Sequence, residues 1–254
     1  MRFVTEHCAR FAQKLPSRAV AVKNAEASRE ASLAGYRQIL EQVPAGSIGI
    51  DVAAGLGFGT GLLADRSRKI IGLEFSEERL AAAREENAAR GNIVWRQKDL
   101  NDIGAIFPLY EELVDYVVSL ETIEHLFCPD VFLMAIRSSL KPGGLLMLST
   151  PAVQTTDLNP YHVHDFTPDS LFGMFQAAGF EVTGSRLVSN LKPLSWGMKK
   201  EDRIMPNIVS KGLLLRNMAG VYAREPGKFL HRVGSLLRYQ GFPQDSIYIT
   251  ARKR

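Results

Sequence analysis

The sequence predicts an α/β fold, a doubly wound and mostly parallel sheet with helices on both faces. Three observations carry this reading. Short apolar runs of strand length recur near 48–52, 70–74, 92–96, 115–119, 144–149 and 180–188. Helical stretches alternate with them near 60–66, 77–90, 130–139 and 168–178, the pattern of parallel strands joined by crossover helices. The first strand ends in an acid and enters a loop with glycine at every second position, which puts a ligand crevice at the carboxyl edge of the sheet.

Residues 5–42 read as helical with a break at Pro16, and Pro44-Ala45-Gly46 closes that region. Gly91 reads as the C-cap signal of the helix at 77–90. Pro142-Gly143-Gly144 turns the chain into the fifth strand. The expected division is an N-terminal helical segment (1–45), a ligand-binding core (46–190), a basic helical insertion or lid (191–243) and a last core strand (244–254).

The loop narrows the ligand. It reads Ile48-Gly49-Ile50-Asp51-Val52-Ala53-Ala54-Gly55-Leu56-Gly57-Phe58-Gly59-Thr60-Gly61. A dinucleotide fingerprint needs G-x-G-x-x-G, and the third glycine is missing whether counted from Gly55 (Thr60) or from Gly57 (Leu62). A P-loop is excluded because no Gly-Lys-Ser/Thr closes the run. Asp51 would repel a pyrophosphate, but it suits a ligand with ammonium and sulfonium charges, S-adenosylmethionine, acting through water or by ordering the loop amides.

Further acids fall at later strand ends. Glu74 closes Ile70-Ile71-Gly72-Leu73, about 20 residues beyond the loop, the distance of a ribose-binding acid. Its two oxygens can accept from two hydroxyls. Asp99 follows the strand Asn92–Gln97 and could accept from an adenine amino group, with Leu100 covering the ring. Taken singly, each has a plainer reading: a tight turn for the glycines, a solvated strand end or helix cap for Glu74, a loop carboxylate for Asp99. Their joint placement favours the cofactor, and Ser119 at the fourth strand end would point into the same crevice.

On these residues the chain resembles the class I S-adenosylmethionine-dependent methyltransferases of small-molecule type. The carrying blocks are IDVAAGLGFGTG, IIGLEFSEERLAAAR, the Asp99-Leu100 pair, VDYVVSLETIEHL, LKPGGLLMLSTP and HDFTPDSLFGMFQAAGFEV. They run from about Ile48 to Val188, and the strand from Ser246 to Arg252 completes the set. Ala53 departs from the family's usual glycine, and Ala54 stands where many relatives have cysteine. The resemblance implies a Rossmann-like seven-stranded sheet whose last strand, Ser246-Ile247-Tyr248-Ile249-Thr250, runs antiparallel. It implies S-adenosylmethionine as cofactor, held by Asp51, Ala53, Gly55, Gly57, Glu74, Phe75, Asp99, Leu100 and Ser119.

Composition agrees. At 254 residues, 46% hydrophobic and 23% charged, the chain can form one large α/β domain with an appended element. Cys8 and Cys128 are far apart, which argues against a disulfide scaffold and fits a reducing cytoplasm. The first residues lack a signal-peptide core, and no apolar run reaches membrane-spanning length. Charge is uneven. Residues 192–254 hold 13 Lys and Arg against 4 Asp and Glu, a balance of +9, which leaves −5 on the first 191. A basic quarter is either a solvated surface or an attraction to an anionic acceptor or membrane.

The acceptor side lies after the fourth and fifth strands. An Asn/Asp-Pro-Pro-aromatic run, common in enzymes that methylate DNA adenine or glutamine nitrogen, is absent from Ser119–Leu126, so DNA is not an expected partner. Asn159-Pro160-Tyr161 comes after the fifth strand and does not count. The SLETIEHL block is similar to small-molecule methyltransferases acting on quinones, sugars and natural products. Methyl transfer to a hydroxyl needs a proton acceptor. The candidate bases are His125, His162 and His164; His162 and His164, in the cluster Tyr161–Asp165, are favoured, His125 reads rather as loop support, and Asp165 is available to orient a ring. His162, His164 and one acid could hold a metal, but without a cysteine or a third histidine no metal is assigned. Between Asn190 and Pro243 roughly fifty residues intervene, more than an ordinary loop. Lys228–Arg238 has helical apolar spacing beside basic residues, as a lid or as a surface resting on lipid headgroups. The expected function is methylation of a small-molecule, sugar- or lipid-linked acceptor, anionic or carbohydrate-linked, at oxygen. A catalytically inactive cofactor-binding partner and an RNA or protein methyltransferase stay open.

Overall fold

A computed structural model describes residues 25–189, 191–193, 211–239, 241–243 and 245–254. The predicted helix at 5–24 and residues 194–210 lie outside them. Helix α1 (Ala25–Arg37) precedes strand β1 (Ile48–Val52), followed by α2 (Phe58–Ala64), β2 (Lys69–Glu74), α3 (Glu77–Glu86), β3 (Ile93–Gln97) and β4 (Val114–Leu120). Then come α4 (Pro129–Ser139), β5 (Leu140–Pro151), α5 (Pro168–Ala177) and β6 (Phe180–Val188). Strand β7 (Leu191–Pro193), helices α6 (Lys211–Arg224) and α7 (Pro226–Tyr239), β8 (Gly241–Pro243) and β9 (Ser246–Lys253) complete the chain.

Seven strands form one sheet in the order β3-β2-β1-β4-β5-β9-β6, with β9 antiparallel to both neighbours and the other pairings parallel. This is the Rossmann-like architecture expected. Strand order reverses between β1 and β4, so the crevice opens at their carboxyl ends. The register sets Val52 beside Leu73 and Ser119, and Glu74 beside Gln97, so the predicted ligand residues share one edge.

Two apolar layers sandwich the sheet. On one face Phe132, Leu133 and Ile136 of α4 and Leu171 and Phe175 of α5 bury against β1, β4 and β5. On the other, Tyr36, Ile39 and Leu63 cover Ile70, Tyr116 and Met147. Local signals fix the helix starts. Ser76 accepts from the Arg79 amide, and Thr167 and Ser170 form a reciprocal capping box with Pro168 in the first turn. Helix α3 stops at Glu86, short of the predicted 90. Asn87, not Gly91, caps it, because the Asn87 side-chain amide donates to the carbonyls of Ala83 and Gly57.

The insertion is a helical hairpin closed at its base by the β7–β8 ladder. Helix α7 covers the predicted stretch, yet its polar side faces the body: Arg232 and Ser235 are buried, while Leu230 and Leu237 are 69% and 78% exposed. Apolar periodicity predicts a helix but not which face turns inward when buried ion pairs lie beneath it.

Candidate active site

The glycine loop is built by two kinds of constraint. Gly57 has φ +78°, and a Cβ there would stand 2.8 Å from Ala83 and 2.9 Å from Trp95, so only glycine fits. Gly59 lies in a helix, where a Cβ would fall 2.1 Å from the Tyr36 ring. Glycine at 59 is thus a seat for Tyr36. Ala53 also has a left-handed φ, +58°, which explains the glycine usual in the family at this point and costs an alanine about 1 kcal/mol.

Tyr36 anchors the acid beneath the loop. Its hydroxyl donates to Asp51 Oδ1 at 2.8 Å, and Thr60 donates to Oδ2 at 2.5 Å. Asp51 is fully buried and does not line the crevice. Burial pushes its carboxyl up to about 7, against the opposing pull of Thr60 and Tyr36, and the same burial raises the Tyr36 phenol. The folded state therefore binds a proton at Asp51 that the unfolded chain releases near pH 4. Stability falls as pH rises from about 4 to about 7 and stays low above. Replacing Asp51 with Asn is expected to remove a few kcal/mol of that fall, read as the difference between the urea-unfolding free energies of wild type and variant across this window. Parallel curves would overturn the assignment. Glu121 and Glu124 tilt both curves in the same direction, so only the difference reports Asp51.

Glu74 faces the crevice. Its Oε2 accepts from the Gly55 amide and its Oε1 from the Ser76 amide, both at 2.9 Å. Each oxygen keeps a lone pair for a hydroxyl. Ala53, Phe75, Asp99 and Leu100 line the same space. Asp99 Oδ1 accepts from the Asn101 amide, and Asn101 Oδ1 holds the Phe127 amide, which fixes this rim. Gly55, Gly57 and Ser119 are not part of the lining. The expectation that Asp51 and Ser119 point into the crevice with Glu74 and Asp99 is corrected. Both side chains are fully buried, Asp51 against the hydroxyls of Tyr36 and Thr60.

The opposite wall is Glu121, Thr122, His125, Leu126 and Tyr161. His125 Nδ1 contacts the Tyr161 carbonyl at 3.0 Å, the loop support expected of it, while its ring also lines the crevice. His162 and His164 do not line it. His162 lies behind His125, ring centroids 4.7 Å apart at 82°, with Nδ1 2.7 Å from Thr155 Oγ1. His164 packs on Phe166 and its buried Nε2 has no hydrogen-bond partner among the described residues. Asp165 orients neither ring. It accepts from Thr156 Oγ1 and the amides of Thr155 and Thr156, and pairs with Lys228 of α7. Burial lowers the basicity of His125 and of His162 behind it, pushing His162 to about 3. Glu124 is fully buried and accepts from Thr150, and burial raises it to about 7. Glu121 accepts from Ser149. Its outer face is open to the crevice, where water softens the effect, but surrounding protein atoms and then the Glu124 charge raise it to about 7. Tyr36, Thr60, Asn101, Glu121 and Glu124 were not singled out from sequence. The spacing Glu121-x-x-Glu124-His125 was the available signal for the last two.

Residues 50–148 match the model of a family described as a methyltransferase domain. Over these residues the chain is similar to the S-adenosylmethionine-dependent methyltransferases. It is 33% identical over 139 residues to a Mycolicibacterium smegmatis protein named as an S-adenosylmethionine-dependent methyltransferase, covering 52% of this chain and 51% of that one. It is 29% identical over 171 residues to a ubiquinone biosynthesis O-methyltransferase of Cereibacter sphaeroides, covering 58% and 67%. The chain spans about half the length of the first curated relatives it matches. A solved structure from Bacillus halodurans C-125, assigned as a methyltransferase, superposes with a TM-score of 0.67 at 18% identity, covering 88% of this chain and 99% of that one. That likeness speaks for the fold. The family's cofactor is S-adenosylmethionine, and the donor set fits it, since acceptor oxygens of Glu74 and Asp99 face the crevice with Leu100 and Phe75 beside them.

Proposed function

We propose that this methyltransferase methylates an oxygen of a small-molecule, sugar- or lipid-linked acceptor. One observation carries the reading: the acids of the cofactor side and the Glu121–His125–Tyr161 wall bound a single crevice. When bound, the cofactor supplies a methyl group on a sulfonium, already a good leaving group. The chain's work is then to bind, align and dry the reactants. Glu74 would hold the ribose hydroxyls, Asp99 the adenine amino group and Leu100 the ring, while Asp51, Ala53, Gly55, Gly57, Phe75 and Ser119 shape the loop and floor. His125 faces the space where the acceptor would lie and is held uncharged by burial, ready to take a proton from a hydroxyl. His162 positions His125, and His164 has no role at the crevice.

The division of labour proposed is cofactor binding by residues 46–190 and acceptor control by 191–243. Contact with an anionic membrane belongs to the same reading, because α7 turns Leu230 and Leu237 outward beside Arg238. No helix among the described residues is long and apolar enough to cross a membrane. The test is incubation with methyl-labelled cofactor and cell extract, with divalent ions added. Label is expected in the small-molecule and lipid fractions. Label confined to RNA or protein would overturn the acceptor class, and no label in any fraction would favour a catalytically inactive partner.

A further inference from the structure

Glu124, His125 and His162 bring one donor atom each to within 4.8 Å of one another. Sequence spacing had offered His162 with His164. The fold instead swings His164 onto Phe166 and sets His162 edge-on to His125. Glu124 Oε1 stands 4.0 Å from His125 Nε2. Each member is held from behind: His125 Nδ1 by the Tyr161 carbonyl, His162 Nδ1 by Thr155 Oγ1, and Glu124 Oε2 by the Thr150 hydroxyl. Ligating imidazoles are oriented in this way, one nitrogen tied to an oxygen so that the other is aimed at an ion. Donors on one ion stand about 3–4 Å apart when each bond is about 2.1 Å. The cluster is thus within about one to two ångströms of closing on a cation.

Charge points the same way. Glu124 is 1% exposed, and Glu121, three residues before it, lines the crevice. Among the described residues neither carboxylate pairs with a lysine or arginine. A buried carboxylate needs a counter-charge or a proton. The cluster is also not sealed, since His125 and Glu121 both line the crevice.

The geometry points to a divalent metal site at the acceptor end of the crevice, with Glu124, His125 and His162 as protein ligands and a position left open toward Glu121 and the cavity. Two imidazoles with a carboxylate suit a first-row transition ion such as Mn2+, Fe2+, Co2+ or Zn2+ better than the all-oxygen ions Mg2+ and Ca2+. The role rests on the methyltransferase reading. An acceptor oxygen would fill the open position, and the cation would favour its deprotonated form; with its Nε2 on the ion, His125 then serves as a ligand in place of its role as base, and the hydroxyl proton leaves to water.

Co2+ is the probe, because its visible absorption reports inner-sphere ligands. Titration of metal-free protein is expected to give one equivalent of a nitrogen- and oxygen-ligated band that Zn2+ displaces. His162→Ala and Glu124→Gln should each weaken Co2+ at least 100-fold, while affinity for S-adenosylhomocysteine stays within about twofold of wild type, which shows that the variants fold. No stoichiometric band in wild type, or a band unchanged in both variants, overturns the site. Co2+ binding as described without any S-adenosylhomocysteine binding would uphold the metal site and sink the methyltransferase reading instead.

Discussion

Glu74→Ala is expected to weaken binding of S-adenosylmethionine and of its demethylated product about 100-fold. Two charge-assisted hydrogen bonds to ribose hydroxyls would be lost, each worth roughly 1.5–3 kcal/mol. Part of that is recovered by water, so a net loss of about 3 kcal/mol is the reasonable figure. The same carboxylate holds the amides of Gly55 and Ser76, so the change also loosens the loop from below. Two controls separate these effects. Glu74→Gln keeps one oxygen acceptor but presents a donor to one of the two amides, and should fall between wild type and alanine. Thermal unfolding without ligand measures the loop's own loss. Calorimetric titration that finds the alanine variant within threefold of wild type would remove Glu74 from the ribose site.

The parts of the fold that were legible in the sequence are those set by short-range pattern. Strand β6 was read at 180–188, where it lies, because its run is bounded by Gly179 and a change of composition. Glu74 and Asp99 were readable because a strand end fixes where a side chain emerges. What stayed hidden depends on contacts between distant segments. Nothing near Tyr36 announces that its hydroxyl reaches Asp51, fifteen residues on, or that Gly59 is small to admit its ring. His125 and His162 meet only once the loop after β5 folds back over the turn at Ile123–His125. The basic C-terminal quarter was read as surface charge. Part of it is internal, with Lys228 paired to Asp165 and Arg232 to Asp157, so the charge available to an anionic partner is smaller than the sequence count implies.

That internal pairing makes Arg232 the residue on which the insertion's position turns. Its Nε and Nη2 donate to both oxygens of Asp157, at 2.9 and 2.8 Å, and Nη2 also reaches the Gln154 carbonyl. Arg232 is 4% exposed and Asp157 not at all. Tyr222 of α6 donates to the same carboxylate, and Asn217 donates to the carbonyls of Thr156 and Asp157. Both helices of the hairpin thus converge on the segment that leads into His162. Removing one partner of a buried ion pair leaves the other charged and unsolvated, which costs about 3–5 kcal/mol. Arg232→Ala is therefore expected to release the hairpin from the body rather than unfold the sheet, because the two apolar layers do not include α7. Hydrogen exchange should accelerate across 211–239 and 154–165 and stay unchanged in β1, β4 and β5. Turnover should fall while affinity for S-adenosylhomocysteine holds, since Glu74 and Asp99 lie on the other side of the crevice. Arg232→Lys keeps the charge but loses the two-pronged fit, and should recover only part of the protection. Pairing Arg232→Met with Asp157→Leu removes both charges and should restore docking toward wild type, as expected when the cost lies in the stranded carboxylate. Unaltered exchange in the alanine variant would mean that the hairpin is held by contacts other than this pair.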